Sequence, residues 1–115
     1  EHLKIGTDLV NISRFEKIPI SSKSSFYNKI FLPSEIKYCS KFKNSSEHFA
    51  GKFAVKEAIK KSINKKVTFL EIETYHKNSK PFVKLHGKYK HDFKFDVSIS
   101  HEENFALAVV LSFET

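Results

Sequence analysis

The chain has 115 residues, 40% hydrophobic and 14% aromatic, which suits one domain with a modest core and is too apolar for intrinsic disorder. A formal net charge of +7 calls for an acidic partner (nucleic acid, anionic membrane, phosphorylated ligand or acidic protein) without choosing among them. There is no apolar run of transmembrane length and no signal-peptide pattern at Glu1 to Val10, and the single cysteine, Cys39, can form neither an internal disulfide nor a structural zinc site. A cytoplasmic protein with Cys39 buried as a thiol in a helix is therefore expected.

Leu3-Lys4-Ile5-Gly6-Thr7-Asp8-Leu9 alternates, with Leu3, Ile5, Thr7 and Leu9 on one face and Lys4, Gly6 and Asp8 on the other. That is a strand with a carboxylate near its end. Asn11 is placed to cap a short helix carrying Ile12, Phe15 and Ile18, which Pro19 ends, and Ser21 to Ser25 reads as a polar loop. Pro33 suits a first helical turn, and with Ile36 and Tyr38 it begins a helix running out near Lys43. Asn44 or Ser46 then caps a long helix, with Glu47 three residues after Asn44 as in a capping box, reaching about Ile63. The remainder reads as β: Val67 to Tyr75, a turn at Lys77-Asn78-Ser79-Lys80, Pro81 to Leu85, then Phe93 to His101 and Phe105 to Phe113 joined by Glu102-Glu103-Asn104. No repeat or boundary interrupts residues 1–115, so one domain is expected, α+β, with helices packed on one face of a mostly antiparallel sheet.

One acid stands out. On the long helix Glu57 lies within ~20° of Ala50, ~40° of Phe53 and ~60° of Ala54, inside an apolar sector, where a carboxylate is costly unless a cation meets it. The candidates are a metal or Lys61, one turn further along the same face; Glu57 and Lys61 also read as an ordinary surface pair worth a few tenths of a kcal/mol. In Val97-Ser98-Ile99-Ser100-His101, neighbouring strand residues point to opposite faces, so Ser100 cannot use His101 as its base. His101, at a strand end beside a turn, reads either as a donor to an anionic ligand or as a surface histidine.

Three blocks together resemble one family: Ile5-Gly6-Thr7-Asp8-Leu9-Val10-Asn11-Ile12, Phe49-Ala50-Gly51-Lys52-Phe53-Ala54-Val55-Lys56-Glu57-Ala58, and Ser98-Ile99-Ser100-His101. With Phe31-Leu32-Pro33-Ser34-Glu35 and the Lys80-Pro81 turn, they are similar in order and spacing to holo-acyl-carrier-protein synthases, the short bacterial-type 4'-phosphopantetheinyl transferases. The resemblance implies that family's fold and a Mg²⁺-dependent transfer of phosphopantetheine from coenzyme A to a serine of apo acyl carrier protein, releasing adenosine 3',5'-bisphosphate. It implies Asp8 and Glu57 as metal ligands, Glu57 also as candidate base acting directly or through water, and Lys61 as a contact to coenzyme A phosphate. Lys52, Pro81, Ser100 and His101 match positions that line the nucleotide and its 3'-phosphate.

The resemblance also implies a closed homotrimer with sites at subunit interfaces, since one copy lacks a second wall for the cofactor. The run Phe105 to Leu111 suits such packing, though it equally describes a core strand. Arg14, extended by Lys17 and Lys23, is the expected docking patch for an acidic carrier protein, or else a solvated helix. Asn64 stands where the family usually has glycine, Ser79 where a turn glycine is common, and Glu102 where threonine is usual. The competing reading is a small basic nucleic-acid-binding module with phenylalanines as stacking platforms. It leaves Asp8 and Glu57 unexplained, its phenylalanines fall mostly at core periodicity, and neither nucleic acid nor membrane is the expected partner.

Overall fold

The computed structural model describes residues 2–115. In chain order it runs β1 (Leu3–Asn11), α1 (Ser13–Glu16), α2 (Ser24–Asn28), α3 (Pro33–Ser40), α4 (Ser45–Ser62), a 3-10 turn (Phe69–Glu71), β2 (Ile72–Lys77), β3 (Lys80–Leu85), β4 (Phe93–Glu102) and β5 (Phe105–Glu114). The class is α+β as expected, but the strands form two antiparallel sheets: β1-β5-β4 and the hairpin β2-β3. Among the described residues no helix is long and apolar enough to cross a membrane.

Helix α4 organises the fold. Its residues Phe49 to Lys56 are all buried, because β1, β4 and β5 cover one side while α1, α3 and β2 cover the others. A helix enclosed all round has no reason to show one apolar stripe, which is why its sequence looks ragged. It crosses β1 very closely: a Cβ on Gly6 would stand 2.0 Å from the Ala58 carbonyl oxygen. The far end of α4 is tied to β5, where Ser112 Oγ donates to the Ser62 carbonyl at 3.1 Å.

Several local expectations change. Ser24 and Ser25 belong to α2, anchored by buried Tyr27, whose hydroxyl donates to the carbonyls of Phe15 and Ile18. Helix α3 stops at Ser40, three residues short of Lys43. Asn44 precedes α4 but its side chain makes no cap bond; the capping-box reach is instead made by Glu35, which accepts the Leu32 N–H at 2.7 Å, and by Glu71, which accepts that of Thr68 at 2.8 Å. The second of these curls Phe69–Glu71 into a 3-10 turn and delays β2 to Ile72. Helix α1 is shorter than expected, with Ile12 at its N-cap and its end before Ile18, and Asn11 closes β1 with its Oδ1 accepting the Ser13 N–H at 3.0 Å.

A buried polar chain joins α3, α4 and β2. Lys56 Nζ lies 2.7 Å from Glu35 Oε1 with both side chains fully buried, and its other protons go to the carbonyls of Ile30 (2.8 Å) and Phe69 (2.9 Å). Glu35 Oε2 accepts the Thr74 N–H at 2.7 Å and the Thr74 hydroxyl at 2.6 Å. Lys52 Nζ donates to Thr74 Oγ1 at 2.9 Å and to its carbonyl at 3.1 Å. Every charge in the chain is met, as low-dielectric burial requires.

Several of the phenylalanines go to the core, as their periodicity suggested. Phe15, Phe31, Phe49 and Phe53 are buried together, with Phe15 ring-to-ring with the other three at 5.7–6.4 Å. That packing takes these four rings away from any nucleic-acid surface. Cys39 is buried in α3 as expected, and burial pushes its thiol up to about 12.

The Gly6–Ala58 approach is directly testable. Gly6→Ala forces α4 away from β1 and is expected to cost about 1–3 kcal/mol, read as a lower urea midpoint with unchanged slope. An unchanged midpoint would show that the two elements part without cost.

Candidate active site

The first cluster lies where α4 crosses β1. Asp8 faces α4 from the same side of β1 as Gly6, and it is reached by Lys61, whose Nζ donates to Asp8 Oδ1 at 3.1 Å and to the Thr7 carbonyl at 3.0 Å. The Asp8 side chain is only 15% exposed and that of Lys61 58%, so the carboxylate is largely shielded while the lysine reaches it from the solvent side. Glu57 precedes Lys61 by one turn, ~40° round the same side of α4, and is half-buried. It makes no ion pair with Lys61; Lys61 crosses to β1 instead, so the local pair open to the sequence does not form. Among the described residues no three carboxylate, imidazole or thiol groups converge as a ready-made metal cage.

The second cluster lies on another side of α4. Lys52 is ~140° around the helix from Glu57 and ~180° from Lys61. There a cavity of about 550 Å³ opens between α4, the β2–β3 hairpin and β4, lined by Lys52, His48, His76, Lys80, Pro81 and His101 among others. His101 sits directly on α4: a Cβ at Gly51 would lie 3.1 Å from its Nε2, so glycine there gives the ring its seat. The His76 ring stacks on Tyr38 at 4.9 Å, and its buried Nδ1 has no hydrogen-bond partner. Lys52 lines the wall, but its ammonium is turned inward to Thr74 and lies 4.8 Å from the Tyr38 ring centroid.

Ser100 falls elsewhere. It pairs with Leu107 and His101 with Ala106, which are exposed and buried respectively, so the two residues do face opposite ways. Arg14, Lys17 and Lys23 are exposed around α1 and the start of α2, with the Arg14 guanidinium 5.2 Å from the Phe53 ring centroid. Asn64 does not take a left-handed backbone, and α4 already ends in extended Ile63. Ser79 does adopt the conformation of the glycine it replaces, at φ 65°, beside Asn78 at 52°. The sequence reading missed Tyr38, His48 and His76 as cavity residues, since they come from three different elements.

A sequence pattern defining the 4'-phosphopantetheinyl transferase superfamily matches residues 4–110. The holo-[acyl-carrier-protein] synthase of Thermodesulfovibrio yellowstonii is 38% identical over 110 residues, 93% of this chain and 95% of its own. A crystal structure of a holo-(acyl-carrier-protein) synthase from Bacillus anthracis in complex with CoA (3',5'-ADP) superposes with a TM-score of 0.82 at 29% identity, covering 100% of both chains. The Helicobacter pylori holo-[acyl-carrier-protein] synthase in complex with coenzyme A gives 0.78 at 38% identity over 92% of this chain and 96% of that one. The chain belongs to the 4'-phosphopantetheinyl transferase superfamily. Likeness over nearly its whole length places it among the holo-[acyl-carrier-protein] synthases, and it is an enzyme of that class.

The cavity histidines generate a pH prediction. Burial holds His48 and His76 below the ordinary 6.5, nearby positive charge adds to this in both, and Glu47 opposes it for His48. The folded chain therefore binds fewer protons than the unfolded one below that value. Their contribution is complete above pH 6.5 and is lost as pH falls through it. The thermal midpoint should drop between about pH 7 and pH 5, and less steeply in a His48→Gln/His76→Phe double variant. An equal slope in that variant would assign the acid sensitivity to other groups.

Proposed function

We propose that the chain, acting as one phosphopantetheinyl transferase domain over residues 1–115, moves 4'-phosphopantetheine from coenzyme A to a serine of apo acyl carrier protein and releases adenosine 3',5'-bisphosphate. The observation that carries this reading is the meeting of β1 and α4, which brings Asp8 to Lys61, 53 positions away, with Glu57 one turn from it. Two acids with hard oxygen donors fit Mg²⁺, which takes few protein ligands and completes its shell with water and substrate phosphate. The Lys61 ammonium on Asp8 supports this fit, because it shows a carboxylate oxygen already turned toward a positive charge. Bound there, Mg²⁺ would supply neutralisation of the pyrophosphate charge.

The chain's own groups do the rest. Glu57 accepts the proton of the carrier serine, directly or through a water, as the serine oxygen forms its bond to the phosphorus bearing pantetheine. The bond from that phosphorus to the adenosine bisphosphate oxygen breaks. Lys61, once off Asp8, meets coenzyme A phosphate as a mobile point charge. His101, Pro81 and the Lys52 wall are the proposed nucleotide contacts of the cavity, with His101 as the donor toward the 3'-phosphate, and Ser100, on the opposite sheet face, would reach a nucleotide only at an interface between copies.

The cavity that holds His101 is not lined by Asp8, Glu57 or Lys61, so the cavity of a single copy does not unite them. We propose a homotrimer in which each cofactor lies between two copies. The sheet supports it: Leu3, Ile5, Leu9, Phe105 and Leu107 form an apolar face 38–62% exposed, an unusual patch to leave in water. A free Cys39 thiol fits a reducing compartment, and the proposed location is the cytoplasm.

Incubation with apo acyl carrier protein, coenzyme A and Mg²⁺ should add one phosphopantetheine to the carrier by mass. Asp8→Asn or Glu57→Gln should slow this by roughly a hundredfold or more while the protein stays folded. Unmodified carrier with the native chain would defeat the reading, and an active variant would misplace the site. Exposed Arg14 is the proposed carrier contact, extended by Lys17 and Lys23. Arg14→Glu should raise the apparent KM for carrier about tenfold and leave coenzyme A affinity unchanged; movement of both together would make Arg14 structural.

A further inference from the structure

Apart from the Lys52 wall, the buried chain Lys52–Thr74–Glu35–Lys56 takes no part in the chemistry above, yet it reaches both halves of the site. Lys56 adjoins Glu57 on α4, ~100° around the helix, so any turn of α4 that relaxes Lys56 carries the Glu57 carboxylate with it. Thr74 lies on β2, two residues before His76, in the hairpin whose turn presents Lys80 and Pro81 to the cavity. The Gly6–Ala58 contact fixes how near α4 lies to β1, and Ser112 and His101 hold the same sheet-facing side at Ser62 and Gly51, while the opposite side carries directional bonds of its own. That side is where Lys56 donates to Glu35, Ile30 and Phe69 at 2.7–2.9 Å.

Stability alone is a weak reason for such a pair. Buried ion pairs replaced by apolar residues of similar volume are often no less stable, whereas loss of one partner strands a charge. We propose that Glu35 and Lys56 are positioning residues for phosphopantetheine transfer: their ion pair, extended through Thr74 and Lys52, holds Glu57 and the hairpin wall in one fixed relation. This rests on the function proposed above.

The test replaces both charges at once, Glu35→Leu with Lys56→Met, and assays the variant beside the native chain. Calorimetric titration with coenzyme A counts competent sites, so a smaller folded fraction is not mistaken for slower turnover. The double variant should melt cooperatively close to the native chain, keep its KM for carrier protein, and lose about ten- to a hundredfold in kcat per competent site. A folded double variant with native kcat overturns the proposal. Should that variant not fold, Glu35→Gln, which keeps the shape and an oxygen acceptor, decides in its place: a tenfold lower kcat at native KM supports the role, and native kcat refutes it. An inactive native chain would remove the functional reading and this role with it, whereas an active native chain with an equally active variant removes the role alone.

Discussion

Everything in this fold is referred to the line along which α4 lies against β1, with Ala58 over Gly6 and no space for a side chain between them. A strand and a helix that touch backbone to backbone cannot slide without breaking the packing on both sides, because protein interiors are too dense to absorb it. The residues flanking that contact inherit its precision: Asp8 on the strand, Lys61 and Glu57 on the helix. The same helix seats His101 at Gly51, about two turns earlier and only ~20° from Ala58 on the sheet-facing side. One element therefore positions both groups of polar residues, about two turns apart along its length.

Burial all round also explains why α4 holds charges in its interior. A helix that meets a sheet on one side and α3 and β2 on another must place something along the second interface, and here it is two lysines one turn apart. Burial pushes both ammoniums below the ordinary lysine range, while Glu35 pulls them back up. Apolar residues could fill that space. The bonds from Lys56 and Lys52 are directional as well as space-filling, which is the property the proposed positioning role uses.

Much of this was legible in the sequence, for physical reasons that also mark where it stopped. The alternation from Leu3 to Leu9 gave β1 and its two faces, and the turn residues located β3, β4 and β5 closely. Alternation does not say which face is inward: the polar face with Gly6 and Asp8 packs on α4, and the apolar face of Leu3, Ile5 and Leu9 is bare. Glu57 was conspicuous because a charge sat among apolar helical neighbours. Lys61 was visible too, but its partner on β1 was not, since pairing across 53 positions depends on tertiary geometry. Glu35 and Lys56 were hidden for the same reason, and α2 because the burial of Tyr27, more than helical propensity, holds it.

The bare sheet face and the divided site have one explanation if copies pack through that face and each completes its neighbour. Neither half then needs to reach the other within a chain, and an apolar surface that would be a liability in a monomer becomes an interface. The most direct measurement is subunit complementation between Asp8→Asn and His101→Ala. Each variant alone should transfer poorly, but after mixing and subunit exchange some interfaces contain an intact Asp8 and an intact His101 from different copies, and activity should return. Activity no greater than the sum of the two separate variants, with exchange verified by mass, would contradict a site shared between subunits.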